Sequence, residues 1–379
     1  MSPAGRVFVL TGLLTACVSW SFAGEAKENP NYCCLSAQGS SLSATAAEDL
    51  EKTVTGDPKD LASRILLIGY YSSHLSKPED ETLASILNGP KAARGKTARA
   101  RLSDHMLWII RHEPASEAAA NLPSFDPDGE SSLYRECKDE WLRQTNRHAK
   151  DSAVFAHAAK FLHLHDEDRD LAVALMRTAR RLDPSRAAWA LQLADIFGLQ
   201  MRCMETTSAY RTELAGRAER ELADALALDA DDESRLHTLP DAAGAALEAG
   251  HPATASTYAC EALAMAGKMK DNWYLPIALH KAWTVMGGIA LAAGRTGEAA
   301  PCLLSSARIT HNESSSWFDP DLVLAAALLA RGERRAVMGF IELCLKWPLS
   351  EYESGQLKDL DALITGGRAP DFGTCLSYF

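Results

Sequence analysis

The residues best suited to chemistry form a histidine and carboxylate cluster near the middle of the sequence. The cluster comprises His157, His163, His165, Asp166, Glu167 and Asp168. Imidazole nitrogens and carboxylate oxygens are competent ligands for zinc or nickel. However, His163 and His165 are two residues apart and face different sides of a helix, so they converge only if the helix ends there. A polar helix end followed by a loop is therefore favoured over a metal-dependent or hydrolytic enzyme, which stays as the alternative.

The sequence carries no other catalytic signature. His112-Glu113-Pro114 is not the HExxH of zinc proteases, and no GxSxG, P-loop or dinucleotide-binding pattern is present. Nine cysteines occur, but no CxxC that would indicate a zinc ribbon or a redox motif. We therefore predict a protein that is not an enzyme, with no catalytic residue, metal or cofactor. Cys260, Cys302 and Cys344 fall in apolar stretches and are interpreted as small core residues.

The elements of the fold are clearest in residues 273–311. Apolar residues there follow the spacing of one helix face and then of a second: Trp283, Met286, Gly287 and Ala290, then Ala299 and Leu303. Gly294 lies between the two and suits the left-handed conformation that ends a helix. The small residues let two antiparallel helices approach closely, and Trp283 is expected to fill the gap beside them. The alternative is an ordinary helix pair in a globular α-domain.

This stretch resembles a tetratricopeptide repeat (TPR), which places bulky and small residues at the same positions. One such hairpin cannot bury its apolar face alone, so neighbouring pairs must stack on it. The pattern recurs at the TPR period of 34 residues, which relates Ala159, Lys160 and His163 to Leu193, Ala194 and Phe197. We therefore predict an all-α protein, a TPR-like helical-repeat solenoid with an atypical C-terminal helical cap.

Composition shifts and turn residues divide the chain further. The predicted order is a signal peptide (1–23, or a lipoprotein signal, 1–16), a flexible tether (24–46), an N-terminal helical region (47–115), a linker (116–133), TPR-like repeats (134–311) and the cap (319–379). Asp57-Pro58 is expected to begin a helix, with Asp57 as its N-cap. Residues 201–232 are interpreted as a charged insertion between repeats.

The first residues indicate export. Arg6 precedes an apolar run, residues 7–16, that is too short to span a bilayer. Two processing sites compete: a lipobox that would place a lipid on Cys17, and ordinary cleavage after Ala23. The protein is thus expected to be periplasmic or lipid-anchored at the cell envelope. A cytoplasmic regulatory TPR protein with an apolar N-terminus remains the alternative.

The partner class follows from charge and fold. A net charge of −11 argues against a nucleic-acid ligand, whose phosphates need cations to neutralise them. Stacked TPR-type pairs line a groove with their first helices, so we predict another polypeptide as the partner. The groove candidates are His237, Asp241, Lys281 and Thr284, taken as ordinary surface positions. Charge reversal at Lys281 is accordingly expected to change stability by no more than about 0.5 kcal/mol.

Several segments extend the resemblance beyond generic TPR sequences. DLASRILLIGYY, HMLWIIRHEP, GERRAVMGFIELCLKW and PDFG resemble recurring pieces of a family of uncharacterised bacterial TPR-like proteins. The resemblance covers most of residues 57–379. It implies a helical-repeat scaffold and supplies no catalytic residues.

Overall fold

The computed structural model describes residues 32–75, 98–123, 132–165, 168–203, 207–229, 231–309, 320–368 and 370. Over these ranges the regular structure consists of helices, with no strand. The predicted all-α fold class is confirmed. The predicted signal peptide, including Cys17 and Ala23, lies outside the described residues.

The chain divides into two compact units, Met1–Asp183 and Pro184–Phe379. The described part of the first unit contains eight helices: α1 (Tyr32–Gly39), α2 (Ala44–Gly56), α3 (Leu61–Leu75), α4 (Ala98–His112), α5 (Glu117–Ala120), α6 (Ser132–Arg147), α7 (Ser152–Leu162) and α8 (Arg169–Leu182). Helices α7 and α8 pack together as a hairpin, as the resemblance to a TPR predicts. Trp141 on α6 is fully buried. The short helix α5 lies inside the segment predicted to be a linker.

Helix α1 crosses α3 at two glycines. A Cβ added at Gly39 would lie 2.1 Å from the Leu66 carbonyl oxygen, and one added at Gly69 would lie 2.0 Å from the Ser36 carbonyl oxygen. Real Cβ atoms do not approach backbone so closely, so only glycine fits at either position. The predicted flexible tether is therefore wrong for residues 32–39, which form a helix packed against α3.

The start of α3 also differs from the prediction. Asp57 closes α2, where its backbone N–H donates to the Thr53 carbonyl at 2.8 Å. Asp60 caps α3 instead, since its Oδ1 accepts from the Ser63 backbone N–H at 3.0 Å. Asp57-Pro58 resembles a helix start in sequence, but the chain makes one more turn before α3 begins. The carboxylate that caps the free N–H groups at the start of α3 is therefore that of Asp60.

The second unit is a run of helix pairs. Its helices are α9 (Ala187–Cys203), α10 (Ser208–Leu228), α11 (Asp232–Glu248), α12 (Pro252–Ala266), α13 (Leu275–Ala292), α14 (Thr296–Ala307), α15 (Val323–Leu329), α16 (Arg334–Cys344) and α17 (Glu351–Thr365). Each odd-numbered helix from α9 to α15 packs on the helix that follows it, and α11, α13 and α15 contact one another in turn. The predicted insertion at residues 201–232 is wrong, because most of it is α10, the second helix of the first pair.

Glycines end the first helix in three of these pairs. Gly250, Gly294 and Gly332 have φ of 81°, 74° and 86°, the left-handed region that favours glycine. The predicted role of Gly294 as a helix end is confirmed. Recurrence of the same turn marks α11–α12, α13–α14 and α15–α16 as variants of one repeating hairpin.

Helix α13 is the central element of this unit. Within the described residues it is long and apolar enough to cross a membrane, yet more than half of it is buried in the fold, as in a core helix of a soluble domain. Gly287 and Ala290 are buried as predicted. Trp283 and Met286 are only half-buried, so the predicted apolar face is displaced, and Ala278, Ala282 and Val285 complete the buried one.

The C-terminal helices complete the apolar core next to α13 and α14. Leu324, Phe340, Ile341 and Leu357 are all buried in one cluster with residues of those helices. Of the cysteines expected in the core, Cys344 is buried and Cys302 is half-buried. Cys260 is exposed, so its assignment as a core residue is wrong. The buried face of α12 is a narrow one that consists mainly of alanines, and Cys260 lies outside it.

Candidate functional site

The four groove candidates of the sequence lie on two contacting helices. His237 and Asp241 are one turn apart on α11, and Lys281 and Thr284 are close to one turn apart on α13. These are first helices of consecutive pairs, and they pack against each other directly. The four residues, together with Trp273 and Tyr274 just before α13, are called the inner-helix cluster below.

An ion pair joins the two helices. Lys281 Nζ lies 2.5 Å from Asp241 Oδ1, and the two side chains are only 12% and 17% exposed. The expectation that Lys281 is an ordinary surface position is therefore wrong. Reversing its charge would leave two carboxylates facing each other in a half-buried site, where a broken pair costs far more than about 0.5 kcal/mol.

Three aromatic rings contact one another near this ion pair. The His237 ring centroid lies 4.3 Å from that of Tyr274 and 5.4 Å from that of Trp273. Burial raises the pKa of the Tyr274 phenol, and Lys281 opposes that shift while Asp241 and Asp195 add to it. Tyr274 therefore stays protonated at neutral pH.

Two further groups in the cluster are neutral. Burial lowers the pKa of His237, although the nearby carboxylates of Glu233 and Asp241 pull it upward. The Thr284 hydroxyl is buried and finds no hydrogen-bond partner among the described residues. The cluster thus combines one ion pair with neutral hydrogen-bonding groups and aromatic rings.

Trp273 and Tyr274 were missed at the sequence level as members of this site. Both stand immediately before Leu275-Pro276, the first residues of α13. The Tyr274 backbone N–H donates to Asn272 Oδ1 at 2.8 Å, which fixes the entry to the helix. The sequence signal that could have identified them is a tryptophan–tyrosine pair just before a proline in the first turn of an inner helix.

The histidines of the candidate metal cluster make other contacts. His157 Nδ1 lies 3.0 Å from the Pro114 carbonyl oxygen, and His163 Nδ1 lies 2.6 Å from that of Lys160. Burial lowers the pKa of His163 to about 4, so its ring is neutral. Each imidazole therefore satisfies a nearby carbonyl group of the helix ends.

The other described members of the cluster belong to an aromatic and ionic contact. Tyr134 stacks on His165 with centroids 3.6 Å apart, and its hydroxyl donates to Asp168 Oδ2 at 2.5 Å. Lys138 forms an ion pair with the same carboxylate. Asp166 and Glu167 lie outside the described residues. Over the part of the chain that the structure describes, no group of three histidine, cysteine or acidic residues is placed to hold a metal ion.

The described helices form an all-α, TPR-like helical-repeat fold. No protein-family model matches the chain, and no curated protein matches it. Among solved structures, the crystal structure of the yeast Tom70 matches at 13% identity with a TM-score of 0.43, over 91% of this chain and 66% of that one. The chain thus spans slightly less than two thirds of that protein. The fold class rests on the helix order and packing above, and the resemblance to a bacterial family stays a prediction.

Proposed function

We propose that this protein is a scaffold that binds another polypeptide along the first helices of its second unit. The observation that carries the proposal is the inner-helix cluster, where successive first helices bring charged, aromatic and hydroxyl side chains side by side. Stacked helix hairpins commonly use this face to hold a peptide or a helix.

The chemistry of the cluster favours an extended peptide. Lys281 and Asp241 keep part of their surface open, so each can add a hydrogen bond to a peptide amide or carbonyl without leaving its partner. The rings of Trp273 and Tyr274 offer apolar area with few rotatable bonds, as at binding hot spots. The cluster has no activated nucleophile, so the proposal includes no catalytic step.

A peptide array tests the proposal with paired substitutions. Asp241→Asn combined with Lys281→Gln removes both charges together, so no unpaired charge stays buried and the fold is preserved. We expect this double variant to bind its best peptides about tenfold or more weakly than the unaltered protein. The matched control is Arg211→Gln with Glu248→Gln, which neutralises another ion pair between helices of the same unit, 2.9 Å long and about one-third exposed.

Equal losses in the two double variants would show that charge in general, and not the inner-helix cluster, governs capture. Turnover of a substrate by the purified chain, abolished by replacing His163 and His165, would overturn the scaffold assignment altogether.

Export is a second part of the proposal. It is supported by the apolar run at residues 7–16 and by the small residues that precede Cys17 and follow Phe22. Intact-mass analysis of the cell-made protein separates a lipidated Cys17 from cleavage after Ala23. A mass that still includes Met1 and the apolar run would favour the cytoplasmic alternative.

A further inference from the structure

A basic cleft in the first unit is lined by none of the residues of the proposed peptide surface. It has a volume of about 490 Å³ and is lined by Lys59, Trp108, Arg111, His112, Glu113, Glu140 and Arg147. This volume falls within the range of small-molecule sites. The lining residues come from three separate segments: the connection after α2, the last turn of α4 with the residue beyond it, and α6.

The cations of the cleft are only partly neutralised. Glu140 is buried, and its Oε2 accepts from Arg111 Nε at 3.1 Å and from Arg143 Nη2 at 2.9 Å. That single carboxylate therefore faces two guanidinium groups. In the described part of the chain, Lys59 Nζ and the Arg147 guanidinium have no ion-pair partner. The lining thus carries three cations, Lys59, Arg111 and Arg147, against the two carboxylates of Glu113 and Glu140, so positive charge is in excess in this cleft.

A buried arginine holds the walls in place. The Arg64 guanidinium lies 3.9 Å from the Trp108 ring centroid, and Arg64 Nε donates to the Pro58 carbonyl at 2.9 Å. The same side chain lies 3.2 Å from His105 Nδ1. Arg64 therefore fixes both the indole wall and the segment that carries Lys59. Such a preorganised wall lowers the ordering cost of binding.

The helix ends supply a competing explanation for some of these charges. Arg111, His112 and Arg147 lie in the last turns of α4 and α6, where cations stabilise the helix dipole. That explanation does not account for Lys59, which lies outside any helix, or for the indole wall. Three cations that meet at one cavity beside an aromatic ring form a recognition site for an anion with a planar body.

We propose that the cleft binds a small organic anion in which a carboxylate or phosphate is attached to a planar apolar group. Arg111, Arg147 and Lys59 hold the anionic group by charge-assisted hydrogen bonds. The planar group packs against the edges of the Trp108 and His112 rings, which both line the cleft and stack with their centroids 4.6 Å apart. Binding involves no covalent step. It is independent of the peptide surface, which lies in the other unit.

Titration calorimetry of the full chain at low salt tests the proposal with three probes: phenyl phosphate, benzoate and inorganic phosphate. We expect saturable one-site binding of phenyl phosphate or benzoate at about 1 mM or tighter, and the tighter of the two identifies the anionic group. Inorganic phosphate, which lacks the planar group, should bind at least about tenfold more weakly than phenyl phosphate. Raising the salt concentration should weaken binding, because exposed charges are screened.

Arg147→Gln should reduce affinity for the better probe about tenfold or more, since one charge-assisted hydrogen bond is lost. The matched control is Arg335→Gln, an exposed arginine in the other unit, which should leave affinity unchanged. Both variants alter exposed side chains, and circular dichroism verifies that they fold. No saturable binding of either aromatic probe, equal affinity for inorganic phosphate and phenyl phosphate, or equal behaviour of the two arginine variants would each overturn the proposal.

Discussion

Gly287 gives a sharp test of how the second unit is packed. A Cβ added there would lie 2.3 Å from Leu324 Cδ2 and 3.1 Å from Cys302 Cβ. Leu324 belongs to α15 and Cys302 to α14, so Gly287 is the point at which α13 meets both neighbours. Leu324 is itself only 2% exposed, which leaves its side chain little room to move away.

Two opposing free energies decide the effect of Gly287→Ala. Replacing a glycine inside a helix by alanine stabilises the helix by about 1 kcal/mol. Overpacking a tight interface costs about 1–3 kcal/mol. We therefore expect Gly287→Ala to be neutral or destabilising by up to about 2 kcal/mol, by the difference of these terms. Gly287→Leu adds three more carbons to the same contact and should lie near the upper end, about 3 kcal/mol.

Gly216 is a matched control in the same unit. It lies inside α10, and a Cβ there would meet nothing nearer than Arg220 Nη1 at 3.8 Å. Gly216→Ala should therefore stabilise the protein by about 0.5–1 kcal/mol. Urea unfolding followed by circular dichroism measures all three variants, with an unchanged slope as the condition for comparing them. If Gly287→Ala stabilised as much as Gly216→Ala, the close contact between α13, α14 and α15 would be refuted.

Three further predictions concern buried titratable groups. His280→Phe should lower the free energy of unfolding by about 2–4 kcal/mol, because the Ser306 carbonyl and the Asp321 N–H, 3.0 Å and 2.9 Å from the ring nitrogens, would lose their partners. Burial lowers the pKa of His105 below its ordinary value, because the folded protein disfavours the charged ring. The unfolded chain therefore binds a proton more readily as the pH falls below about 6.5, and the free energy of unfolding decreases. His105→Gln should remove this part of the pH dependence, as measured by the urea midpoint. Burial raises the pKa of Asp321 from its ordinary value of 3.8 to about 6, so the free energy of unfolding falls as the pH rises from 3.8 to about 6. Asp321→Asn should be more stable than the unaltered chain at about pH 8 and lose most of this advantage only as the pH falls to about 4, as measured by thermal unfolding.

Helix periodicity and turn glycines were sufficient to predict most of the second unit. The exception is α10, whose buried stripe of Leu214, Ala218, Leu222 and Ala225 is interleaved with charged residues. Alanine contributes little to a hydrophobic pattern, although it is the residue that lets helices pack closely. A stretch with many charges and a narrow alanine-lined stripe therefore resembles an insertion when it is in fact a packed helix.

Only part of the candidate site could be predicted from the sequence, because its contacts run between two helices. Spacing along α11 and α13 places His237, Asp241, Lys281 and Thr284 on first helices, and this needs only local information. Which side chains meet across the two helices depends on their relative rotation and offset. A pattern of polar residues therefore cannot distinguish an open groove wall from the half-buried ion pair that Lys281 makes.

His280 shows how the α13–α14 hairpin is joined to the predicted C-terminal cap, which begins with the α15–α16 hairpin. The ring is fully buried, donates from Nδ1 to a carbonyl at the end of α14, and accepts at Nε2 from the backbone just before α15. Only the neutral ring with its proton on Nδ1 can make both contacts. Trp347, which follows α16, adds a hydrogen bond from its indole N–H to the Ala307 carbonyl at 3.2 Å. Two of these bonds, from Asp321 to His280 and from Trp347 to Ala307, cross from the cap to the hairpin. Removing the cap would therefore expose polar groups of the hairpin together with the shared apolar core. The hairpin and its cap therefore form one cooperative element, although the sequence pattern changes between them.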